Sequence, residues 1–251
     1  MGDTFSAKDE PERTQQEGTD SFLHKNETIE VVISAAGVEL QADLCVVSQD
    51  RLEGIVIFAH GSGSGRKSPR NQLVANVLNR HGFATLLVDL LTPAEQFIVS
   101  KRFDIALLTT RLSEVVYWIR NDSRVRAQAI GLFGASTGAA AALRVAAMMK
   151  PHISCVVCRG GRTDLTGTLL QKVQAPTLLI VGGEDKEVLT INHKTIDEFT
   201  CTKRLAVVPG ATHLFEEQGA LDDVAHIASY WFKNHMRKIR RSPLPQDRPL
   251  A

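Results

Sequence analysis

Between about residue 28 and residue 236, short apolar runs alternate with longer stretches whose apolar positions recur every three or four residues. The short runs fall at 55–59, 84–88, 129–133, 153–158, 177–181 and 205–208. They are rich in β-branched residues and lack polar alternation, as strands buried on both faces of a parallel sheet do. Upstream, residues 28–34 and 38–47, joined by Ala35-Ala36-Gly37, read as a hairpin of mostly alternating strands. Helices are expected between the runs. Ser68-Pro69 supplies an N-cap and a first-turn proline ahead of Leu73, Val74, Val77 and Leu78 at helical spacing. Residues 104–120 line up Ile105, Leu108, Leu112, Val115, Val116 and Ile119 on one face, and Leu221, Val224, Ile227, Trp231 and Phe232 do the same near the end. Strands alternating with helices of this length predict an α/β sheet covered on both sides. In such sheets chemistry gathers at the carboxyl ends of the strands.

Composition narrows the class. With 43% hydrophobic and 23% charged residues, the chain can bury a sizeable core. A formal net charge of +1 argues against a nucleic-acid binder. No apolar run reaches the roughly 18 to 20 residues of a membrane span, and the N-terminus is polar and acidic, unlike a secretory signal. Residues 1–27 carry seven acids against three bases without periodicity and predict a disordered tail. The folded domain is expected over 28–238, followed by a flexible basic, proline-rich tail at 239–251. Cys155-Val-Val-Cys158 has CxxC spacing, but residues three apart on a strand face opposite ways, so neither a disulfide nor a metal site is expected. The expectation is a cytoplasmic protein with reduced thiols.

Candidate chemistry sits at the strand ends. The run 129–133 leads into Gly134-Ala135-Ser136-Thr137-Gly138 and then an alanine-rich helix, a G-x-S-x-G turn in strand–turn–helix context. Such a turn strains the serine backbone, and side chains at 134 and 138 would collide with neighbouring elements. Ser136 is the candidate nucleophile. A serine needs a base and the base an orienting acid, in the order Ser, Asp or Glu, His. The strand at 177–181 runs into Gly182-Gly183-Glu184-Asp185, and that at 205–208 into Pro209-Gly210-Ala211-Thr212-His213. His213 is the candidate base and Asp185 the acid, with Glu184 as the alternative. The loop His60-Gly61-Ser62-Gly63-Ser64-Gly65 could turn backbone donors inward, and the amides of Ser62 and Thr137 are the expected oxyanion hole. His60 is expected to brace that loop. A dinucleotide fingerprint there would need glycine where Arg66 stands, and no phosphate-loop Gly-Lys pair follows.

With the elbow, the acid, the histidine and the HG loop in place, residues 28 to 236 resemble an α/β-hydrolase of the dienelactone-hydrolase-like group. The phrase Gly131-Leu-Phe-Gly-Ala-Ser-Thr-Gly-Ala-Ala-Ala-Ala142 is similar to a bacterial branch of that group, sometimes fused to phosphoribosyltransferase domains. No such extra domain is expected here. The resemblance implies an eight-stranded, mostly parallel sheet flanked by helices, with the second strand antiparallel. Dienelactone hydrolases use a cysteine nucleophile, and this elbow carries Ser136. That departure favours esterase-like acyl transfer to water. The short span from Cys158 to Pro176 leaves no room for a large lid.

The expected activity is therefore serine hydrolysis of a carboxylic ester or related small acyl substrate, with no cofactor and no metal. Arg66 follows the oxyanion loop and Arg159 follows an apolar strand, so both should border the mouth and favour an anionic substrate. The alternative is a ligand-binding module that keeps the fold and has lost turnover.

Overall fold

The computed structural model describes residues 26–125 and 128–236; the tails expected at 1–27 and 239–251 lie outside these, apart from Asn26 and Glu27. Eight strands form one sheet: β1 (Glu27–Ala35), β2 (Val38–Val46), β3 (Gly54–Ala59), β4 (Phe83–Val88), β5 (Ile130–Ala135), β6 (Cys155–Arg159), β7 (Thr177–Gly182) and β8 (Lys203–Val208). Their order is β1-β2-β4-β3-β5-β6-β7-β8. β2 runs antiparallel to both neighbours, and β3 through β8 are parallel. This is the eight-stranded, mostly parallel sheet of an α/β-hydrolase fold. Six helices accompany it: α1 (Pro69–Arg80), α2 (Val99–Arg102), α3 (Ile105–Asn121), α4 (Thr137–Met148), α5 (Lys186–Thr195) and α6 (Ala220–His235).

The apolar runs divide residue by residue between two cores. Ile55, Ile57, Leu132, Val156 and Cys158 face α3 and α4 on one side. Val56, Phe58, Phe133, Cys155 and Val157 face α1 and α6 on the other. Every position of β3 to β7 is buried, the physical content of an unalternated run. Cys155 and Cys158 point into opposite cores, and burial holds both thiols far above their ordinary pKa.

β8 departs from the expectation of double burial. It closes the sheet edge beyond β7, and its residues are mostly half-buried or exposed, with Val207 43% exposed. Strand boundaries also move: β5 runs on to Ala135, and β6 starts at Cys155 and takes in Arg159. Ser68 precedes α1 in extended conformation with Pro69 inside the first turn, but its hydroxyl makes no capping bond.

Candidate active site

The turn between β5 and α4 is as sharp as the glycines suggest. Ser136 has φ 50° and ψ −118°, strained for an L-residue. A Cβ at Gly134 would lie 2.5 Å from Ala139 Cα, and one at Gly138 would overlap the carbonyl oxygens of Ala59 and His60. Only glycine lets the helix start so close to β3. The Ser136 N–H donates to the Arg159 carbonyl at 3.0 Å, tying the elbow to the end of β6. A Cβ at Gly61 would lie 3.0 Å from Ser136 Cβ, so the oxyanion loop rests directly on the serine.

His213 reaches the same place from β8. Gly160, at φ +54°, leaves room beside the imidazole: a Cβ there would come within 3.2 Å of His213 Cε1. Behind the ring, His213 Nδ1 and Asp185 Oδ2 are 2.6 Å apart. Asp185 also caps α5, accepting from the Val188 N–H at 3.4 Å, so the carboxylate orients the histidine from a fixed seat. Glu184 turns away to Lys186 Nζ at 3.2 Å and is exposed. Ser136 is thus tied to Arg159, and His213 stands beside the next residue, Gly160, with Asp185 one hydrogen bond behind.

His60 is a brace. Its Nε2 accepts from the Leu90 N–H at 3.0 Å, and its Nδ1 lies 2.9 Å from the Gly61 carbonyl oxygen. That pattern requires a neutral ring protonated at Nδ1. Burial lowers its pKa in agreement. The Ser62 N–H, expected to face an oxyanion, instead donates to the Thr137 side-chain hydroxyl Oγ1 at 3.0 Å. Thr137 is buried at the first position of α4, where helix amides have no intrahelical acceptor.

The two arginines expected at the mouth behave differently. Arg66 is a correction. Its amide donates to Asp89 Oδ1 at 2.7 Å, its Nε to Asp89 Oδ2 at 3.2 Å, and its Nη1 reaches both Glu30 and Asp43. The reason is the fold: β2, antiparallel beside β4, carries Asp43 to the carboxyl end of the parallel strands. Three carboxylates therefore hold Arg66 beside the 60–65 loop through its Nε and Nη1.

Among the described residues, Arg159 has no carboxylate partner. It is 8% exposed, its Nη2 donates to Asn71 Oδ1 at a long 3.4 Å, and its Nη1 is buried without a partner. Its guanidinium carbon sits 5.9 Å from the Phe133 ring centroid. Burial first, then the charge of Arg70, push its pKa down to about 10, so the group stays cationic at neutral pH.

Sequence reasoning passed over the segment between β4 and α3. Gln96 and Arg102 line a crevice with His60, Ser62, Gly63 and Leu91 beside the oxyanion loop. Next to them Phe97 is 87% exposed, and Ile98, Val99 and Phe103 also face solvent. These four apolar residues follow no amphipathic period, and that misfit was the available signal.

The sheet order, the strained serine after β5 and the His–Asp pair after β8 and β7 define the class: an α/β-hydrolase. The family model "Dienelactone hydrolase family" matches residues 40–236, and the chain belongs to that family. A dienelactone hydrolase structure from Anabaena variabilis is 45% identical, with TM-score 0.82, covering 85% of this chain and 100% of its own. Est1E from Butyrivibrio proteoclasticus superposes with TM-score 0.70 at 17% identity over 82% of this chain and 98% of its own, a likeness of fold alone. Two Mycobacterium tuberculosis proteins, each named "Putative phosphoribosyl transferase", are 50% identical over 207 residues, 82% of this chain. The chain spans about half the length of these curated relatives, 46% of each. Among the described residues, no helix is long and apolar enough to cross a membrane.

Proposed function

We propose that the protein hydrolyses a small carboxylic ester through an acyl-enzyme on Ser136. The observation that supports this is the 2.6 Å Asp185–His213 contact, together with a strained serine at the start of α4. His213 Nε2 takes the Ser136 proton as Oγ attacks the acyl carbon, and the Thr137 amide receives the developing oxyanion. Collapse breaks the ester bond, and the imidazolium returns its proton to the leaving alcohol. Water then attacks the acyl-enzyme with the same base, releasing the acid and restoring Ser136. Asp185 holds the tautomer and stabilises the imidazolium. A lactone is an internal ester, so the substrate named for the Anabaena relative is compatible with this chemistry. Buried thiols suit a reducing cytoplasm, and the near-zero charge suits small molecules better than nucleic acid.

The preferred substrate carries an anionic group, and Arg159 supports that reading because, among the described residues, no carboxylate pairs with its buried charge. In Arg159→Ala, kcat/KM should fall about tenfold or more for a carboxylate-bearing ester and little for its neutral analogue. Equal loss for both esters defeats the anion preference. For the reaction itself, p-nitrophenyl acetate turnover should drop at least about a thousandfold in Ser136→Ala. Unchanged turnover rejects the nucleophile. Folded wild-type protein that resists a fluorophosphonate probe would make the chain a ligand-binding module instead.

A further inference from the structure

We propose that the side-chain hydroxyl of Thr137 is a donor of the oxyanion hole, with the Ser62 amide acting behind it. The inference rests on the serine-hydrolase reading. The usual pair of backbone donors is not free in this structure, because the Ser62 N–H is already directed at Thr137 Oγ1, 3.0 Å away. A threonine hydroxyl has one proton and two lone pairs. Accepting from Ser62 occupies a lone pair and leaves the proton to be donated. That proton and the Thr137 N–H belong to one residue, three bonds apart, so both can converge on one oxygen beside Ser136. The chain Ser62 N–H to Thr137 O–H to oxyanion polarises in one direction, and each bond strengthens the next.

The surroundings hold this relay in place. Thr137 is 2% exposed, so water competes poorly for its hydroxyl. Ser62 lies in a loop fixed at one end by His60 on Leu90 and at the other by Arg66 on Asp89. Gly61 rests on Ser136, which sets the loop's height over the nucleophile. The Thr137 side chain therefore sits between the two elements expected to grip the oxyanion, with no freedom to leave.

The test is Thr137→Val, which keeps the shape and removes the hydroxyl, with Thr137→Ser to restore it. On p-nitrophenyl acetate, kcat should fall between about tenfold and a hundredfold in Thr137→Val with KM little changed, and Thr137→Ser should regain most of the loss. Phenylboronic acid, which forms a tetrahedral adduct on a serine, should lose affinity in Thr137→Val by a similar factor. A packing defect would not weaken the adduct selectively. Unchanged or raised kcat in Thr137→Val, a Thr137→Ser variant as slow as Thr137→Val, or a kcat loss with unaltered phenylboronic acid affinity would each overturn the proposal. If Thr137→Val does not fold, a Thr137→Ser variant with kcat and boronate affinity near wild type supports the hydroxyl, and one lacking both overturns it. Wild-type turnover that survives Ser136→Ala would instead defeat the serine mechanism, whatever Thr137 does.

Discussion

Two arginines lie buried on opposite sides of the sheet, and they are held in opposite ways. Arg111, on α3, is 2% exposed and grips Glu95 through both terminal nitrogens at 2.6 and 2.9 Å, with the Leu90 carbonyl as a further acceptor. Arg111 first, with Lys101 also contributing, holds the Glu95 carboxyl far below the usual carboxylate range against the penalty of burial. Arg159 is 8% exposed and has one long contact to a neutral amide. Burying a charge is costly unless it is paired. Arg111 therefore clamps the segment after β4 onto α3, and the Glu95 carboxylate balances its charge. No side chain explains Arg159 in the same way. Of the two charges, that of Arg159 is the one the proposed anion preference rests on.

The largest break in this comparison comes from replacing both arginines by methionine. Arg111→Met leaves Glu95 with Lys101 and the Thr92 N–H and should cost about 3 kcal/mol in urea unfolding, while kcat per folded molecule on a neutral ester stays near wild type. Arg159→Met removes an unmatched charge from an apolar surround and should leave stability unchanged or raise it by about 1 kcal/mol. Equal destabilisation by the two would show that Arg159 is as structural as Arg111.

pH sharpens the contrast at the Glu95 clamp and at His60. Glu95 is depressed, so its stabilisation is present above the unfolded carboxylate pKa and disappears only as strong acid protonates the folded pair. His60 is also depressed, because the buried ring must stay neutral. Unfolded histidine takes up a proton below about pH 6.5, whereas the folded ring resists it, so stability should decline from there with falling pH. One proton sets the slope at no more than about 1.4 kcal/mol per pH unit. The smallest effect is expected in His60→Gln: a lower melting temperature at pH 7.5, but a shallower decline between pH 7 and 5. A decline as steep as wild type would assign the acid sensitivity to another group.

Much of this was legible in the residues. Double burial of β3 to β7 followed from unalternated apolar runs, and the elbow glycines followed from the lack of space beside Ala59 and Ala139. The order of Ser136, Asp185 and His213 was readable because each ends a strand of a parallel sheet. What escaped depended on lateral neighbours. β8 looks like an inner strand in sequence, but strand order makes it an edge. Arg66 looked free because Glu30, Asp43 and Asp89 approach it only after β2 pairs antiparallel with β4. Thr137 appeared as an amide, and nothing local to it announces that Ser62, 75 residues earlier, uses its hydroxyl.

The contact at Gly138 has a mechanical meaning. Where a Cβ would strike the carbonyls of Ala59 and His60, the start of α4 is seated on the end of β3 without a gap. The Ser136 turn and the loop after β3 are thereby one part, machined together, with little room to slide against each other. Accommodation of differently shaped substrates would then fall to parts not seated this way, such as the outer surface of the 97–103 segment with its exposed Phe97. Diversification of such a fold would accumulate in that outer jaw while the vise block behind it stayed unaltered.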